Sequence, residues 1–172
     1  ENEQGIKKVN SINSGSFPFV TDDNNLLSSF SRAINQGNLT ATTDKSIYSE
    51  MDIIVVDIHL DIAYLHDEPQ LEFDEFKMAI KDIGKLAKPG TLIIIETTVP
   101  PGTCEKVVIP TLQEELFKRD MDANEFLIAH SYERVMPGKD YLTSITEYWR
   151  VFSGYNKASG DACEDFLTNV IN

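Results

Sequence analysis

Three runs of apolar residues constrain the fold more than any other feature: MDIIVVDI (51–58), TLIIIE (91–96) and EFLIAHS (125–131). Runs this continuous suit strands covered on both faces, the condition of a parallel sheet. Between the first two, Phe73, Phe76, Ile80, Ile83 and Leu86 trace a helical stripe that stops at Lys88-Pro89-Gly90. Between the second and third, Val107, Val108, Leu112 and Leu116 trace another. Pro110 falls inside that second stripe and lacks an N–H, which predicts a kink there or a start displaced downstream. Strands that alternate with helices at this spacing make βαβ units, so the fold class is α/β with a mostly parallel sheet and flanking helices.

The flanks add detail. Ile6, Val9 and Ile12 give a first helix, broken by Gly15 and Pro18. A second follows, capped by Asp22 or Asp23, with Leu26, Leu27, Phe30, Ala33 and Ile34 inward and Gly37 at its C′ position. LTATTD (39–44) reads as a short Thr-rich strand. A long loop (132–149) with a short helical turn leads to a fourth strand, RVFSGY (150–155). Ser159 or Asp161 would cap a last helix, with Ala162, Phe166, Leu167 and Val170 inward.

Charge and cysteine content narrow the function. The 172 residues carry 15 basic and 28 acidic side chains, a formal charge of −13. A general nucleic-acid binder needs a basic face, so that class is disfavoured. No run reaches the roughly 18 apolar residues of a membrane span, and ENEQGIKKVN lacks the apolar core of a secretory signal. Two cysteines, Cys104 and Cys163, make no disulfide framework, and a reducing cytoplasm is the simpler setting. Asn38-Leu39-Thr40 matches the glycosylation pattern by chance in that setting.

In parallel sheets ligands bind beyond the carboxyl ends of the strands. That rule selects the loops 57–61, 96–103, 131–139 and 154–159. Glu96-Thr97-Thr98-Val99-Pro100-Pro101-Gly102-Thr103 leaves a strand and enters a helix, with Thr103 a fair N-cap. Its hydroxyls suit a phosphate, a nicotinamide amide or a positioned water, or else they only cap the turn. In the third loop Glu133 suits proton transfer, and Arg134 and Lys139 suit phosphate or carboxylate oxygens. A solvated loop with local ion pairs explains the same residues. His59, Asp61, His66 and Asp67 fit no metal-ligand spacing, and His130 reads as a core-edge residue.

The strings TLIIIETTVPPGTCEKVVIPTL, SYERVMPGK and YWRVFSGYN resemble nucleotide-sugar dehydrogenases of the UDP-glucose/GDP-mannose dehydrogenase type, and more closely the branch acting on UDP-N-acetylhexosamines. VNSINSG and AINQGNLTATTD are similar to the family segment after its second strand. The resemblance covers nearly the whole chain. It implies a Rossmann-like sheet, NAD as cofactor, a UDP-sugar substrate and a homo-oligomeric parent. The reaction implied is a four-electron oxidation of the sugar C6 alcohol to a carboxylate, through a cysteine thiolate. By the resemblance, Thr98 contacts NAD and helps hold the catalytic water, Glu133 works on that water, and Glu133, Arg134 and Val135 line the sugar-nucleotide site.

The departures are specific. Ile58-His59-Leu60-Asp61 stands where the family has Val-Pro-Thr-Pro, and Tyr132 replaces a proline. The chain contains no G-x-G-x-x-G, and neither cysteine matches the family nucleophile. In the family order 3-2-1-4-5-6, LTATTD, MDIIVVDI, TLIIIE and EFLIAHS would be strands 3 to 6. Strands 1 and 2 would then precede Glu1, so the chain is expected to be a partial NAD-binding domain, truncated at Glu1 and without the substrate and catalytic-cysteine domains. Two outcomes are expected. Either LTATTD pairs outside the family pattern, or it is irregular and MDIIVVDI borders a gap. The alternative reading of the whole is a stand-alone nucleotide-binding or assembly module without catalysis.

Overall fold

The structure is a computed structural model that describes residues 3–171 except 59, 61, 66, 67, 123 and 137. Along the chain run α1 (Glu3–Asn13), α2 (Asn24–Asn35), β1 (Ile53–Val56), β2 (Ile62–Leu65), β3 (Glu68–Leu71), α3 (Asp74–Leu86), β4 (Leu92–Ile95), α4 (Ile109–Lys118), β5 (Leu127–His130), α5 (Tyr141–Thr146), β6 (Ser153–Gly154) and α6 (Lys157–Val170). A 3₁₀ turn (Lys45–Ser49) precedes β1, and a π-turn (Cys104–Val108) precedes α4. Two compact units result. One holds the residues up to Lys45 together with Arg134–Tyr148 and Ile171, and the other holds Ser46–Glu133 and Trp149–Val170.

In the helical unit, Asp23 does the work expected of a cap. Its Oδ1 accepts from the N–H groups of Asn25 (2.9 Å) and Leu26 (3.0 Å) at the start of α2. Its Oδ2 accepts from Leu142 N–H (2.8 Å) at the start of α5. These backbone donors hold the carboxyl below the usual carboxylate range, Leu142 contributing most. At the other end of α2, Gly37 (φ +70°) donates to Ile34 O and Asn38 to Ala33 O, a Schellman closure. LTATTD is not a strand. Its Ala41 backbone is paired in both directions by the Asn13 side chain, at 2.8 and 2.9 Å, so a local amide takes the place of a ladder.

The other unit is built on a four-stranded sheet of order β1-β4-β5-β6. β1, β4 and β5 are parallel, with Ile53 opposite Leu92 and Leu92 opposite Leu127. β6 is antiparallel to β5 and only two residues long, much shorter than the strand expected over 150–155. Phe76, Ile80 and Ile83 of α3 and Leu112 and Leu116 of α4 bury one face, against Ile54, Val56, Ile93, Ile95 and Ile128. Cys163 and Leu167 of α6 are buried on the opposite side, where α6 lies on β4, β5 and β6. β4 is therefore buried on both faces along its length.

β1 departs from the expectation of two covered faces. Ile54 and Val56 are buried, but Ile53 and Val55 are 38% and 43% exposed. Among the described residues β1 pairs only with β4, so it stands at the sheet edge, the second of the two expected outcomes. β2 and β3 form a separate antiparallel hairpin that the apolar pattern did not announce. The parallel core has the α/β, Rossmann-like architecture that was expected.

Several local expectations are corrected. Pro110 does displace a helix start: a π-turn ends where the Ile109 N–H reaches Cys104 O, and α4 opens with Pro110 in its first turn, where the missing donor costs nothing. Thr103 is not a side-chain cap, since its hydroxyl donates back to Pro100 O at 2.8 Å. Asn156 caps α6 by accepting from Ser159 N–H (2.9 Å). Ser159 is buried inside that helix, and its Oγ accepts from Ile128 N–H, a donor of β5 that short β6 leaves unpaired. Val170 is exposed, not inward.

Two predictions follow from this packing. A methyl group on Gly154 would lie 2.2 Å from the Gly160 amide nitrogen, a backbone atom with little room to yield. Gly154→Ala is expected to lower stability by about 1–3 kcal/mol or more, read by urea denaturation. Asp23 has a depressed pKa in the fold, so its contribution is complete above the unfolded value and disappears as pH falls through the folded one. Asp23→Asn keeps one acceptor but sets an amide donor against Leu142 N–H. Its melting temperature should be lower than wild type at neutral pH, with the gap closing in acid.

Candidate functional site at the strand tips

The carboxyl ends of β1, β4 and β5 open on one end of the sheet. β4 leaves through Glu96 and Thr97, which turn toward β1: both of their N–H groups reach Val56 O, at 2.9 and 3.1 Å. The buried Thr97 hydroxyl accepts from Ile58 N–H (2.8 Å) and donates to Val56 O (3.3 Å). It stitches the two strand exits together in place of regular ladder bonds. The next residue, Thr98, is exposed beyond this stitch. β5 leaves through Ser131, whose N–H donates to Ile95 O, and Glu133, whose N–H donates to Glu96 O at 3.2 Å. Thr98 and Glu133 are thus carried on neighbouring strand exits of one sheet.

Arg134 and Val135 follow directly in sequence but belong to the helical unit, so the sheet does not position them. In that unit the loop is held where Met136 N–H donates to Ser144 Oγ (3.0 Å), which in turn donates to Tyr141 O (2.7 Å). His59, Asp61, His66 and Asp67 lie outside the described residues. Among the described residues, no group of three or more His, Cys, Asp or Glu side chains could hold a metal ion.

The strand tips also hold a charge pair that no sequence pattern revealed. Arg150 is 7% and Glu96 19% exposed, with Nη1 and Oε1 3.6 Å apart. The same Nη1 donates to Tyr132 O at 3.1 Å. Burial pushes the Glu96 carboxyl above the usual carboxylate range; Arg150 pulls it back, while Asp57 and Glu133 add to the rise. Cys163 of α6 also senses this carboxylate: burial first, then Glu96, push its thiol up to about 11. Cys104 is half-buried, and burial, then Glu105, raise its thiol as well. Both cysteines are therefore protonated at neutral pH, the opposite of an activated nucleophile.

An open groove of about 600 Å³ lies beside the 99–105 turn. His130 lines it. Its Nδ1 is 2.8 Å from Ile95 O. A carbonyl only accepts, so Nδ1 donates to it.

With this geometry in place, the comparisons are clear. Residues 3–169 match the NAD binding domain of the UDP-glucose/GDP-mannose dehydrogenase family, and the chain belongs to that family. The UDP-N-acetyl-D-mannosamine dehydrogenase of Methanocaldococcus jannaschii is 26% identical over 170 residues, which are 99% of this chain and 36% of that protein. The enzyme of the same name from Campylobacter jejuni is 31% identical over 153 residues, 85% of this chain and 35% of that protein. In structure, the NDP-N-acetyl-D-galactosaminuronic acid dehydrogenase of Methanosarcina mazei Go1 superposes with a TM-score of 0.88 at 28% identity, over 99% of this chain and 35% of that one. The chain thus spans about a third of the length of the curated relatives it matches.

The residues here suit NAD at one end only. An exposed strand-tip hydroxyl, Thr98, has the donor and acceptor that a nicotinamide amide needs. The chain has no G-x-G-x-x-G, and the helical turns after β3 and β4 open on Asp74 and Glu75 and on Glu105, charges that repel a pyrophosphate at those two places. Thr97 is the most readily tested element. Thr97→Val removes the stitch and leaves Ile58 N–H unpaired, with an expected loss of about 1–3 kcal/mol in urea denaturation and faster hydrogen exchange at Ile58.

Proposed function

We propose that these residues form part of the NAD-binding domain of an NAD-dependent nucleotide-sugar dehydrogenase, and that the domains carrying the catalytic cysteine and most of the sugar site lie in other residues. The reaction is oxidation of the C6 alcohol of a UDP-sugar, of the N-acetylhexosamine class, to the carboxylate. The observation that carries this reading is the placement of Thr98 and Glu133 on the exits of the paired strands β4 and β5, which the Glu133 N–H to Glu96 O bond joins, in a chain of this family. The working protein is read as a cytoplasmic homo-oligomer. In line with that, no helix among the described residues is long and apolar enough to cross a membrane.

Bound NAD supplies the hydride acceptor. The residues of this chain do the placing. The Thr98 hydroxyl orients the nicotinamide amide and offers a second contact to a water at the strand tip. The Glu133 carboxylate takes a proton from that water as its oxygen would attack the C6 acyl carbon of a thioester on the catalytic cysteine of the other domain, the C–S bond breaking and the thiolate leaving, so the attacking oxygen is more nucleophilic than free water. Arg134 offers a forked cation to the sugar nucleotide, and Val135 an apolar contact. With a net charge of −13, the overall field opposes anionic ligands, so binding rests on such local groups.

The test is kinetic. The product of the whole gene, given NAD and a UDP-N-acetylhexosamine, should form two NADH per sugar. Glu133→Gln should lower kcat by about 100-fold or more, and Thr98→Val should raise KM for NAD by about tenfold, the worth of one good hydrogen bond. No NAD reduction with any UDP-sugar would instead support a binding or assembly module. The 172-residue chain alone, lacking a G-x-G-x-x-G, should bind NAD with a Kd of roughly millimolar or weaker by calorimetry. Micromolar affinity would contradict that account of the site.

A further inference from the structure

Arg150 is a buried guanidinium that the proposed chemistry does not use. A buried charge is costly unless something specific holds it. Two groups at the strand tips hold it. One fork nitrogen donates to Tyr132 O at 3.1 Å and lies 3.6 Å from Glu96 Oε1. The Glu96 carbonyl in turn accepts from Glu133 N–H. Tyr132 and Glu133 are neighbours, so this short loop is gripped twice: at the Tyr132 carbonyl by Arg150, and at the Glu133 amide by the residue whose carboxylate Arg150 faces. Two buried polar atoms, Arg150 Nε and Ser131 Oγ, have no hydrogen-bond partner among the described residues. Such atoms are uncommon, and here they concentrate where the loop leaves β5.

We propose that Arg150 is a positioning residue for Glu133: by holding the Tyr132 carbonyl against the Glu96 carboxylate, it fixes the path of the loop that aims Glu133 at the strand tips. This rests on the reading of Glu133 as the group that handles the water. Arg suits the task better than Lys because its guanidinium is planar and pre-organised, which keeps Nη1 directed at the carbonyl and the carboxylate together, whereas a Lys ammonium turns freely on a flexible stem. Among the described residues, the charged and titratable groups that act on Glu96 or sense it are Arg150 from the segment before β6, Asp57 beyond β1, Glu133 beyond β5 and Cys163 of α6, and Arg150 is the cation of this set. Removing it leaves Glu96 with burial and like charges, so the carboxyl must titrate still higher.

The experiment uses the 172-residue chain. Arg150→Lys keeps the charge and loses the fork; Arg150→Met loses both. In each, amide exchange at Glu133 should quicken by about tenfold or more while Ile94 and Ile128 in the sheet stay protected. Carbon-13 titration of Glu96 should move upward in Arg150→Met and much less in Arg150→Lys. A general loosening of the fold would move the sheet amides too. Unchanged Glu133 exchange in folded Arg150→Lys would overturn the proposal, and so would an unmoved Glu96 titration in Arg150→Met. If Arg150→Met does not fold, Arg150→Lys alone decides. In the whole gene product, Arg150→Lys should lower kcat with little change in KM for the sugar. An active Glu133→Gln would defeat the reading of Glu133 while leaving the loop measurement intact, so the two failures are separable.

Discussion

The burial of β4 on both faces is the constraint on which the sheet unit depends. Ile93 and Ile95 face α3 and α4, while Ile94 faces α6, and all three are fully buried. A strand placed this way must pair on both edges, because its backbone groups have no access to water. β1 and β5 supply those pairs, in parallel. Parallel pairing then sends all three strand exits to one end of the sheet, and Glu96, Thr97, Thr98, Tyr132 and Glu133 are delivered there by that single consequence.

The strand tips are organised by substitution of side chains for missing ladder bonds. Thr97 joins the exits of β4 and β1, Ser159 completes the edge of β5, and Arg150 takes up the carbonyl of Tyr132. Each is buried and each makes a bond to backbone. The polar cluster that results is rich in carboxylates, and at Glu96 the Arg150 guanidinium opposes the charges of Asp57 and Glu133. Such a cluster suits handling of a proton and a water better than seating of a pyrophosphate. That contrast matches a chain with a strand-tip half of a cofactor site and no G-x-G-x-x-G.

Much of this was legible in the sequence, for physical reasons. TLIIIE announced β4 because a strand covered on both sides needs no polar alternation. Asp23 and Gly37 announced both ends of α2 because capping and a left-handed residue demand particular side chains. The outer face of β1 was not legible, since MDIIVVDI looks the same whether or not another element covers Ile53 and Val55. The β2–β3 hairpin carries Pro69 and the adjacent carboxylates Asp67 and Glu68 within ten residues, which hides the period of a strand. LTATTD has strand-forming residues, yet Asn13 competes successfully for its backbone. Arg150 left no signal at all: its partners are distant in sequence, and only the fold brings Glu96 and Tyr132 to it. The strand-end rule picked out the loops of Thr98 and Glu133, and their particular roles came from the family resemblance; the match over residues 3–169 upholds the family.

The central claim is that Thr98 and Glu133 meet the reacting end of the cofactor at the tips of β4 and β5. A crystal structure of the whole gene product with NAD and a UDP-N-acetylhexosamine tests it most directly. The account predicts the nicotinamide amide within hydrogen-bond distance of the Thr98 hydroxyl, with a water between that hydroxyl and the Glu133 carboxylate. A nicotinamide bound away from the β4 exit, or a Glu133 carboxylate turned from the sugar C6, would contradict it.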